Sequence, residues 1–587
     1  MPYPRARWAL AAGLACLATP AAAQKDYRNL DDDRPLLTED ALPIERGALE
    51  LMLPLRADRS RGAAAQVAAF PELMWGAFRG GHLGLKLPLV TAESPASLRR
   101  WGPASAELLA FANLRGESAT LPALSVRADV GVPLGGVVGG RRVTAQLKGI
   151  ATRSLGASRV HVNAAWTFGA GTAAGLPLEA PHRWTTSLAV DHTLWRRALL
   201  IGAEAIATRP VDGAPVQVNV GAGLRWQLDP HVVLDAGVTR RLRATGPDLG
   251  VTAGLAWSWP TQRLGPRPRQ RGAATPPASE PAVVVHDDRM YPAGAFNWAF
   301  LRRFPDAARL FNAFDYGHAI LYERLWNEPG LPRAALDSAE YAFLATDLLR
   351  RPPALPVAEE AVFPAYDRIA YRAARMFDWA HVLHRQIYDI YAEPGRSDSA
   401  RAAEIERLTD HYLANVRDAF TPEPKAMELM DEQPFSQSFR RGYPRFNGLI
   451  WAYHWLQVGL YEPFLATADT AAQRRLVDDV VRRFLVMVDG DSTALPSVMP
   501  MTAAVAPRFA ARHPRAAMIF DNLHMMHDII SDVLVDPRVP RREKGAEIRR
   551  QLDAFQRGDR DTIDAAHWAM MADHMGGVER MGGVAVP

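Results

Sequence analysis

A short motif, Phe-Asp-x-x-His, occurs three times in the C-terminal half of this sequence. The three copies contain Asp315 and His318, Asp378 and His381, and Asp521 and His524. Residues three positions apart lie on one face of a helix, so each carboxylate can orient or ionise its imidazole. Imidazole and carboxylate ligands suit iron, copper(II), zinc or nickel. The motif therefore predicts a transition-metal site built on helices.

Two of these helix faces carry a second histidine at the same spacing, His384 after His381 and His527 after His524. If the two helices pack antiparallel with these faces inward, four imidazoles can surround one ion. We expect this centre to use His381, His384, His524 and His527, with Asp378 and Asp521 as ligands or orienting carboxylates. The further candidate ligands are His318, Asp315, His454, Asp528, His567 and His574.

The predicted cofactor is a transition metal, as an ion or in haem, with iron or copper favoured. Met570 and Met571 share a helical arc with His574, and a thioether ligand would favour copper(I). Two other interpretations stay open: an acid–base site without a metal, and histidines with a purely structural role. In the structural case, each aspartate caps the start of a helix, and the buried histidines are satisfied by hydrogen bonds.

Composition narrows the kinds of site that the chain can hold. Hydrophobic residues make up 48% and charged residues 22% of the 587 residues, which is typical of a globular protein. A single cysteine, Cys16, excludes disulfide frameworks, thiolate zinc sites and iron–sulfur clusters. The sequence contains no Walker loop, nucleophile elbow or HExxH motif, and no basic helix that favours nucleic-acid binding.

The N-terminus has the parts of an export signal. Two arginines precede an apolar run over residues 8–18, and a small-residue cleavage site ends at Ala23. An apolar run this short cannot span a bilayer as a helix. We therefore predict a cleaved signal peptide over 1–23 and export of the mature chain.

Residues 24–260 show stretches of about ten residues with alternating apolar and polar positions, separated by clusters of turn residues. Twelve strands are predicted, at about 47–57, 65–78, 81–91, 103–114, 121–133, 142–153, 158–169, 183–195, 199–209, 215–228, 231–243 and 249–259. Connections after odd-numbered strands are longer than those after even-numbered ones, as in barrels with short periplasmic turns. The pattern predicts a twelve-stranded antiparallel transmembrane β-barrel.

The last predicted strand contains residues 252–259, TAGLAWSW, which resemble the terminal-strand signal read by the outer-membrane assembly machinery. Its two tryptophans, Trp257 and Trp259, lie on one face and can join an aromatic girdle at the membrane interface. The sequence thus predicts two partners for the barrel, outer-membrane lipid and that assembly machinery.

Four segments of this region also resemble a known family, the MetA-pathway phenol-degradation family of outer-membrane barrels. They are 34–40 (RPLLTED), 45–51 (ERGALEL), 234–238 (LDAGV) and 245–248 (TGPD). The resemblance covers about 34–260 and implies an outer-membrane transporter of small molecules. It implies no particular site residues.

A linker is predicted over 261–285, because five prolines and four arginines favour a stiff, solvated chain. From residue 286 onward the periodicity is helical, with candidates at about 305–327, 337–350, 362–392, 399–419, 446–466, 470–488, 515–535, 541–557 and 561–574. We therefore predict a two-domain chain, a barrel over 24–260 and an all-α domain over 286–587. The all-α domain holds 11 of the 16 histidines.

Together these features predict an outer-membrane channel or transporter for a small molecule or metal, fused to a periplasmic helical domain that binds a transition metal. An even strand count returns the chain to the periplasmic side. One alternative is a metal- or haem-dependent oxidative enzyme in the helical domain, with the barrel as anchor or substrate entry. A second alternative is an envelope adaptor module whose histidines are structural.

Overall fold

The computed structural model describes most of the chain after residue 26. The described residues are 27–31, 34–44, 48–60, 65–78, 80–93, 99–103, 105–117, 121–134, 143–155, 158–169, 182–194, 198–211, 213, 215–229, 231–244, 247–260, 298–327, 332–353, 362–489, 494–557 and 561–587. The predicted signal peptide and the predicted linker lie outside them.

Antiparallel strands form one continuous sheet in the N-terminal half. They are β1 (Ala48–Arg59), β2 (Gln66–Ala69), β3 (Glu72–Phe78), β4 (Gly81–Lys86), β5 (Leu89–Glu93), β6 (Arg99–Pro103), β7 (Ser105–Arg115), β8 (Ala123–Pro133), β9 (Thr144–Leu155), β10 (Ser158–Gly169), β11 (Arg183–Leu194), β12 (Leu199–Pro210), β13 (Gln217–Asp229), β14 (Val232–Arg243) and β15 (Leu249–Pro260). The last strand, β15, pairs with β1, so the sheet closes into a barrel.

The barrel has twelve strand positions around its circumference, because three positions are each occupied by two short strands in line. The strands β2 and β3 both pair with β1. On their other side, β2 pairs with β5 and β3 pairs with β4, and then β5 pairs with β6 and β4 pairs with β7. Pro71 separates β2 from β3 and Pro88 separates β4 from β5. Proline has no N–H to donate to the ladder, which explains both interruptions. The predicted twelve-stranded barrel is confirmed.

Alternate residues of each strand point outward or into the lumen. On β9 and β10, Leu147 and Trp166 face outward and are 53% and 44% exposed, whereas Lys148 and Arg159 face inward and are 5% and 6% exposed. Most of the large exposed apolar side chains in the described chain lie on this outer surface of the barrel. The barrel therefore has an apolar exterior and a polar, charged interior.

Residues 27–31 and 34–44 lie inside the lumen, and we call these residues the plug. It is irregular, so its backbone groups bond to side chains of the barrel wall instead of to a neighbouring strand. Leu37 N and Thr38 N each donate to the Glu204 carboxylate over 2.9 Å, and Thr38 Oγ1 donates to it over 2.7 Å. These bonds anchor the innermost part of the plug to β12.

Buried ion pairs also join the plug to the wall. Glu39 accepts from Arg127 and Lys148, each over 3.2 Å, and Asp40 accepts from Arg159 over 3.1 Å. Charges that are removed from water must be paired, and here each partner is supplied by the opposite element. The plug and the wall are thus matched in charge.

Two glycines of the wall make room for the plug. A Cβ added to Gly223 would lie 2.7 Å from Cβ of Pro35, and a Cβ added to Gly237 would collide with the Pro35 carbonyl oxygen. The backbone of the plug therefore packs directly against the backbone of β13 and β14, where a larger residue would force it to move.

The C-terminal region is helical, as predicted. Its α-helices are α1 (Trp298–Arg303), α2 (Pro305–Asn327), α3 (Arg333–Ala342), α4 (Pro364–Ala392), α5 (Asp398–Ala414), α6 (Glu428–Asp431), α7 (Ser438–Gly442), α8 (Pro444–Gly459), α9 (Glu462–Ala466), α10 (Thr470–Asp489), α11 (Thr502–Val505), α12 (Pro507–Arg512), α13 (Pro514–Val535), α14 (Lys544–Arg557) and α15 (Ala565–His574). A π-helical turn, Phe343–Leu348, extends α3.

The centre of this domain is formed by α8 and α13, which are buried on all sides. Both are apolar around most of their circumference, and such helices belong in the interior of a helical domain. They pack with α2 and α4, which are also largely buried. Within the described residues, no helix combines the length and apolarity needed to cross a membrane.

Candidate metal centre

Six histidines meet where these four helices pack together. They are His318 on α2, His381 and His384 on α4, His454 on α8, and His524 and His527 on α13. None is more than 2% exposed. The rings of His318 and His527 lie 4.1 Å apart, and those of His454 and His524 lie 3.9 Å apart. The histidine faces predicted from the sequence thus converge in the interior of the domain.

Three of the six, which we call the histidine trio, could hold one ion. His318, His454 and His527 each offer one ring nitrogen, and these atoms all lie within 4.8 Å of one another. Nε2 of His454 and Nδ1 of His527 lie 3.2 Å apart and share a hydrogen bond, which an ion bound by both would replace. Metal–imidazole bonds of about 2.0–2.1 Å place ligand nitrogens at about this separation. The trio comes from three different helices, which fixes its geometry through packing.

Several nitrogens of the trio have no hydrogen-bond partner in the described part of the chain. They are both ring nitrogens of His318, Nδ1 of His454 and Nε2 of His527. A buried polar atom left without a partner costs about 1–3 kcal/mol, so native proteins rarely tolerate several in one place. An ion bound by His318 would give one of its ring nitrogens a partner.

Burial keeps these imidazoles uncharged. It lowers the pKa of His318, His454 and His527 well below the ordinary 6.5, and repulsion from neighbouring histidines lowers each further. A neutral imidazole retains a lone pair on one nitrogen, which is the form that binds metals. At neutral pH the trio is a set of uncharged nitrogen donors.

The other three buried histidines are each held by a protein side chain. His384 Nδ1 lies 2.7 Å from the Tyr461 hydroxyl, and His524 Nε2 lies 2.9 Å from Oε1 of Gln457. His381 Nδ1 lies 3.5 Å from a carboxylate oxygen of the motif residue Asp315.

The motif aspartates have positions of their own. Asp315 pairs with the buried Arg385 as well as with His381. Burial lowers the pKa of His381 to about 4, and the half-buried Asp378 opposes this shift. Asp521 accepts from Thr502 N and from Trp568 Nε1, over 2.9 and 2.8 Å.

Asp528 accepts from Trp451 Nε1 over 3.0 Å, next to the trio member His527. Among the residues that the structure describes, no carboxylate joins the histidine trio as a further ligand. The candidates His567 and His574 lie on the exposed side of α15, with rings 5.9 Å apart, outside the buried cluster. The structure therefore brings His527 together with His318 and His454 and leaves the other candidates at a distance or in other contacts.

Aromatic rings enclose the trio. The Phe314 ring lies 4.1 Å from that of His318, and the Phe377 ring lies 4.2 Å from that of His527. Both phenylalanines belong to copies of the sequence motif and are at most 1% exposed. Their position in the motif thus has a structural meaning, because it surrounds the imidazoles with apolar surface.

Sequence reasoning missed Gln457 and Tyr461, which hold His524 and His384, and Arg385, which pairs with Asp315. Gln457 lies three positions after His454, so helical spacing alone could have placed it on the histidine face of α8. Tyr461 lies beyond the end of α8, and no periodic signal links it to His384.

Comparisons with known proteins concern the barrel. No protein-family model matches the sequence, and no curated protein matches it significantly. Among solved structures, a KdgM porin is 10% identical with a TM-score of 0.24, covering 36% of this chain and 98% of that one. The COG4313 outer membrane channel from Pseudomonas putida F1 is 13% identical with a TM-score of 0.31, covering 39% and 100%.

The outer membrane phospholipase A from Escherichia coli is also 13% identical, with a TM-score of 0.24, covering 40% of this chain and 95% of that one. By their own descriptions these three are a porin and two outer-membrane proteins. None of them bears on what this chain transports or binds.

Proposed function

We propose that this protein is an outer-membrane channel joined to a periplasmic domain that binds one transition-metal ion. The observation that carries the metal proposal is the histidine trio: three buried, neutral imidazoles from three helices, each with a ring nitrogen within 4.8 Å of the other two. Both ring nitrogens of His318 have no hydrogen-bond partner among the described residues, and a bound ion would give one of them a partner.

The barrel's exterior supports its placement in a membrane. Exposed leucine, valine and tryptophan side chains cover its outer face, while lumen residues are charged. A closed barrel satisfies every backbone hydrogen bond internally, which is the condition for crossing a bilayer with strands. The resemblance to the MetA-pathway family supports transport of a small molecule through this barrel. A metal is the other candidate for the transported species.

The same geometry supports a periplasmic position for the helical domain. Ala48 at the start of β1 pairs with Pro260 at the end of β15, so the barrel begins and ends at one rim. The strands β9 and β11 end at that rim and β10 and β12 begin there, so only two and four residues separate these strands along the sequence, and short turns face the periplasm in outer-membrane barrels.

The lumen is a channel that the plug closes. Beyond the plug lies a cavity of about 220 Å³, lined by Leu37 of the plug and by polar wall residues such as Arg127, Lys148 and Gln146. A solute that enters this cavity meets the plug before it can reach the periplasmic rim. Passage therefore requires the plug to shift.

Elemental analysis of the full-length protein, purified in detergent without added chelator, tests the metal proposal. We expect one transition-metal ion per chain in the wild type and almost none in His454→Ala or His527→Ala. The double variant His567→Ala/His574→Ala is the matched control, because it removes two exposed histidines of the same domain. Circular dichroism checks that each variant stays helical.

The proposal is wrong if folded wild-type protein contains no metal and takes up none from iron, copper, zinc or nickel salts. It is also wrong if the control variant loses as much metal as the trio variants do, because binding would then be a property of surface histidines.

A further inference from the structure

We infer that the ion held by the histidine trio is monovalent copper, Cu(I), in preference to a divalent ion. This inference rests on the proposed metal site and specifies its ligand. It follows from three properties of the site: the charge of its ligands, the polarity of its walls and the number of its donors.

The ligands carry no charge to balance an ion. All three are imidazoles, and no carboxylate joins them among the described residues. The nearby acids are engaged elsewhere: Asp315 pairs with Arg385, and Asp528 accepts from the Trp451 indole. A bound ion therefore keeps its full charge inside the domain.

The walls offer little to stabilise that charge. Phe314 and Phe377 pack against the trio, and the imidazoles are at most 2% exposed. The Born cost of burying an ion grows with the square of its charge, so a divalent ion costs about four times as much as a monovalent one. Neutral ligands and apolar walls do not offset this difference.

The number of donors also favours Cu(I). Zinc sites with three protein ligands complete their four-coordinate geometry with water or substrate, whereas Phe314 and Phe377 pack against the trio here. The other buried histidines are held through one nitrogen by Asp315, Tyr461 and Gln457. Cu(I) has a filled d shell, accepts three-coordinate geometry and binds imidazole, so three nitrogens satisfy it.

Metal competition on full-length protein in detergent tests the inference. Metal-depleted protein is titrated anaerobically with Cu(I) against bicinchoninate, and separately with Zn(II) against a chromogenic zinc chelator. We expect one Cu(I) per chain and an affinity for Cu(I) at least about 100-fold above that for Zn(II), which corresponds to about 2.7 kcal/mol.

A charge-changing variant makes the test specific. His318 has no hydrogen bond through either ring nitrogen in the described chain, so its replacement breaks none. His318→Asp supplies an anionic ligand and should lower the Cu(I)-to-Zn(II) affinity ratio at least about 100-fold. His318→Gln, which is neutral, should weaken both metals without reversing the preference, and His567→Asp should leave both affinities unchanged.

The outcomes separate the two proposals. Wild-type protein that binds Zn(II) more tightly than Cu(I), or a His318→Asp variant with an unchanged ratio, overturns the assignment to Cu(I) while the metal site stands. Wild-type protein that binds neither of these metals, nor iron or nickel, overturns the proposed function itself.

Discussion

Replacing Glu204 should loosen the plug and raise the open fraction of the channel. The Glu204 carboxylate accepts three hydrogen bonds from the plug, from Leu37 N, Thr38 N and Thr38 Oγ1. In Glu204→Gln one acceptor oxygen becomes an amide that cannot accept, so at least one bond is lost. The bonds that remain go to a neutral group.

The size of the effect follows from the energies of such bonds. Hydrogen bonds to charged groups contribute about 1.5–3 kcal/mol, against about 1 kcal/mol for neutral pairs. Losing one bond and weakening the others should cost the closed state about 2–4 kcal/mol. Since about 1.4 kcal/mol corresponds to a tenfold change, the ratio of open to closed channels should rise about 30- to 700-fold.

Single-channel recording in planar bilayers measures this ratio directly. The control is Glu117→Gln, because the Glu117 carboxylate accepts from N and Oγ of Ser154 on the barrel strand β9 and pairs with Arg153 and Arg368, all outside the plug. A second wall variant, Gly237→Ala, displaces the plug sterically and not through charge, because its Cβ would collide with the Pro35 carbonyl oxygen. Channels of Glu204→Gln and of Gly237→Ala should both open more often than those of the control.

Equal opening frequencies in Glu204→Gln, Gly237→Ala and wild type would refute the assignment of the plug as the closing element. Equal increases in Glu204→Gln and the Glu117→Gln control would show that general loosening of the barrel, and not release of the plug, opens the channel.

Three further predictions concern the helical domain. Burial raises the pKa of Asp532 from 3.8 to about 7, so this carboxyl binds a proton more tightly in the folded state than in the unfolded state. The contribution of Asp532 to the free energy of unfolding should therefore fall by up to about 1.4 kcal/mol per pH unit as pH rises from about 4 to 7. Asp532→Asn should flatten this decline in urea titrations at several pH values. Metal at about 100 times its dissociation constant should stabilise the domain by about 2.7 kcal/mol, seen as a higher melting temperature that a chelator reverses. Protease added to whole cells should leave the linker 261–285 intact, whereas cleavage there would place the helical domain outside the cell.

Much of the barrel could be predicted from the sequence, because a strand's signal is local. Alternation with period two marks which residues face lipid, as for Leu147 and Lys148, and turn residues mark where each strand ends. An even number of such strands returns the chain to the rim where it began, whereas closure is shown by the pairing of β15 with β1. The plug could not be predicted this way, because an irregular segment has no period; its bonds run to wall residues such as Glu204, more than a hundred positions away.

In the helical domain, too, the sequence predicts some features and leaves others to the tertiary structure. Helical spacing determined that His524 and His527 share one face of α13, since that depends only on the local rise and turn of the helix. It did not determine which residue lies opposite that face. Only the packing of α2, α8 and α13 decided that His527 meets His318 and His454, because distances between helices depend on side-chain volumes throughout the core and not on spacing within one helix.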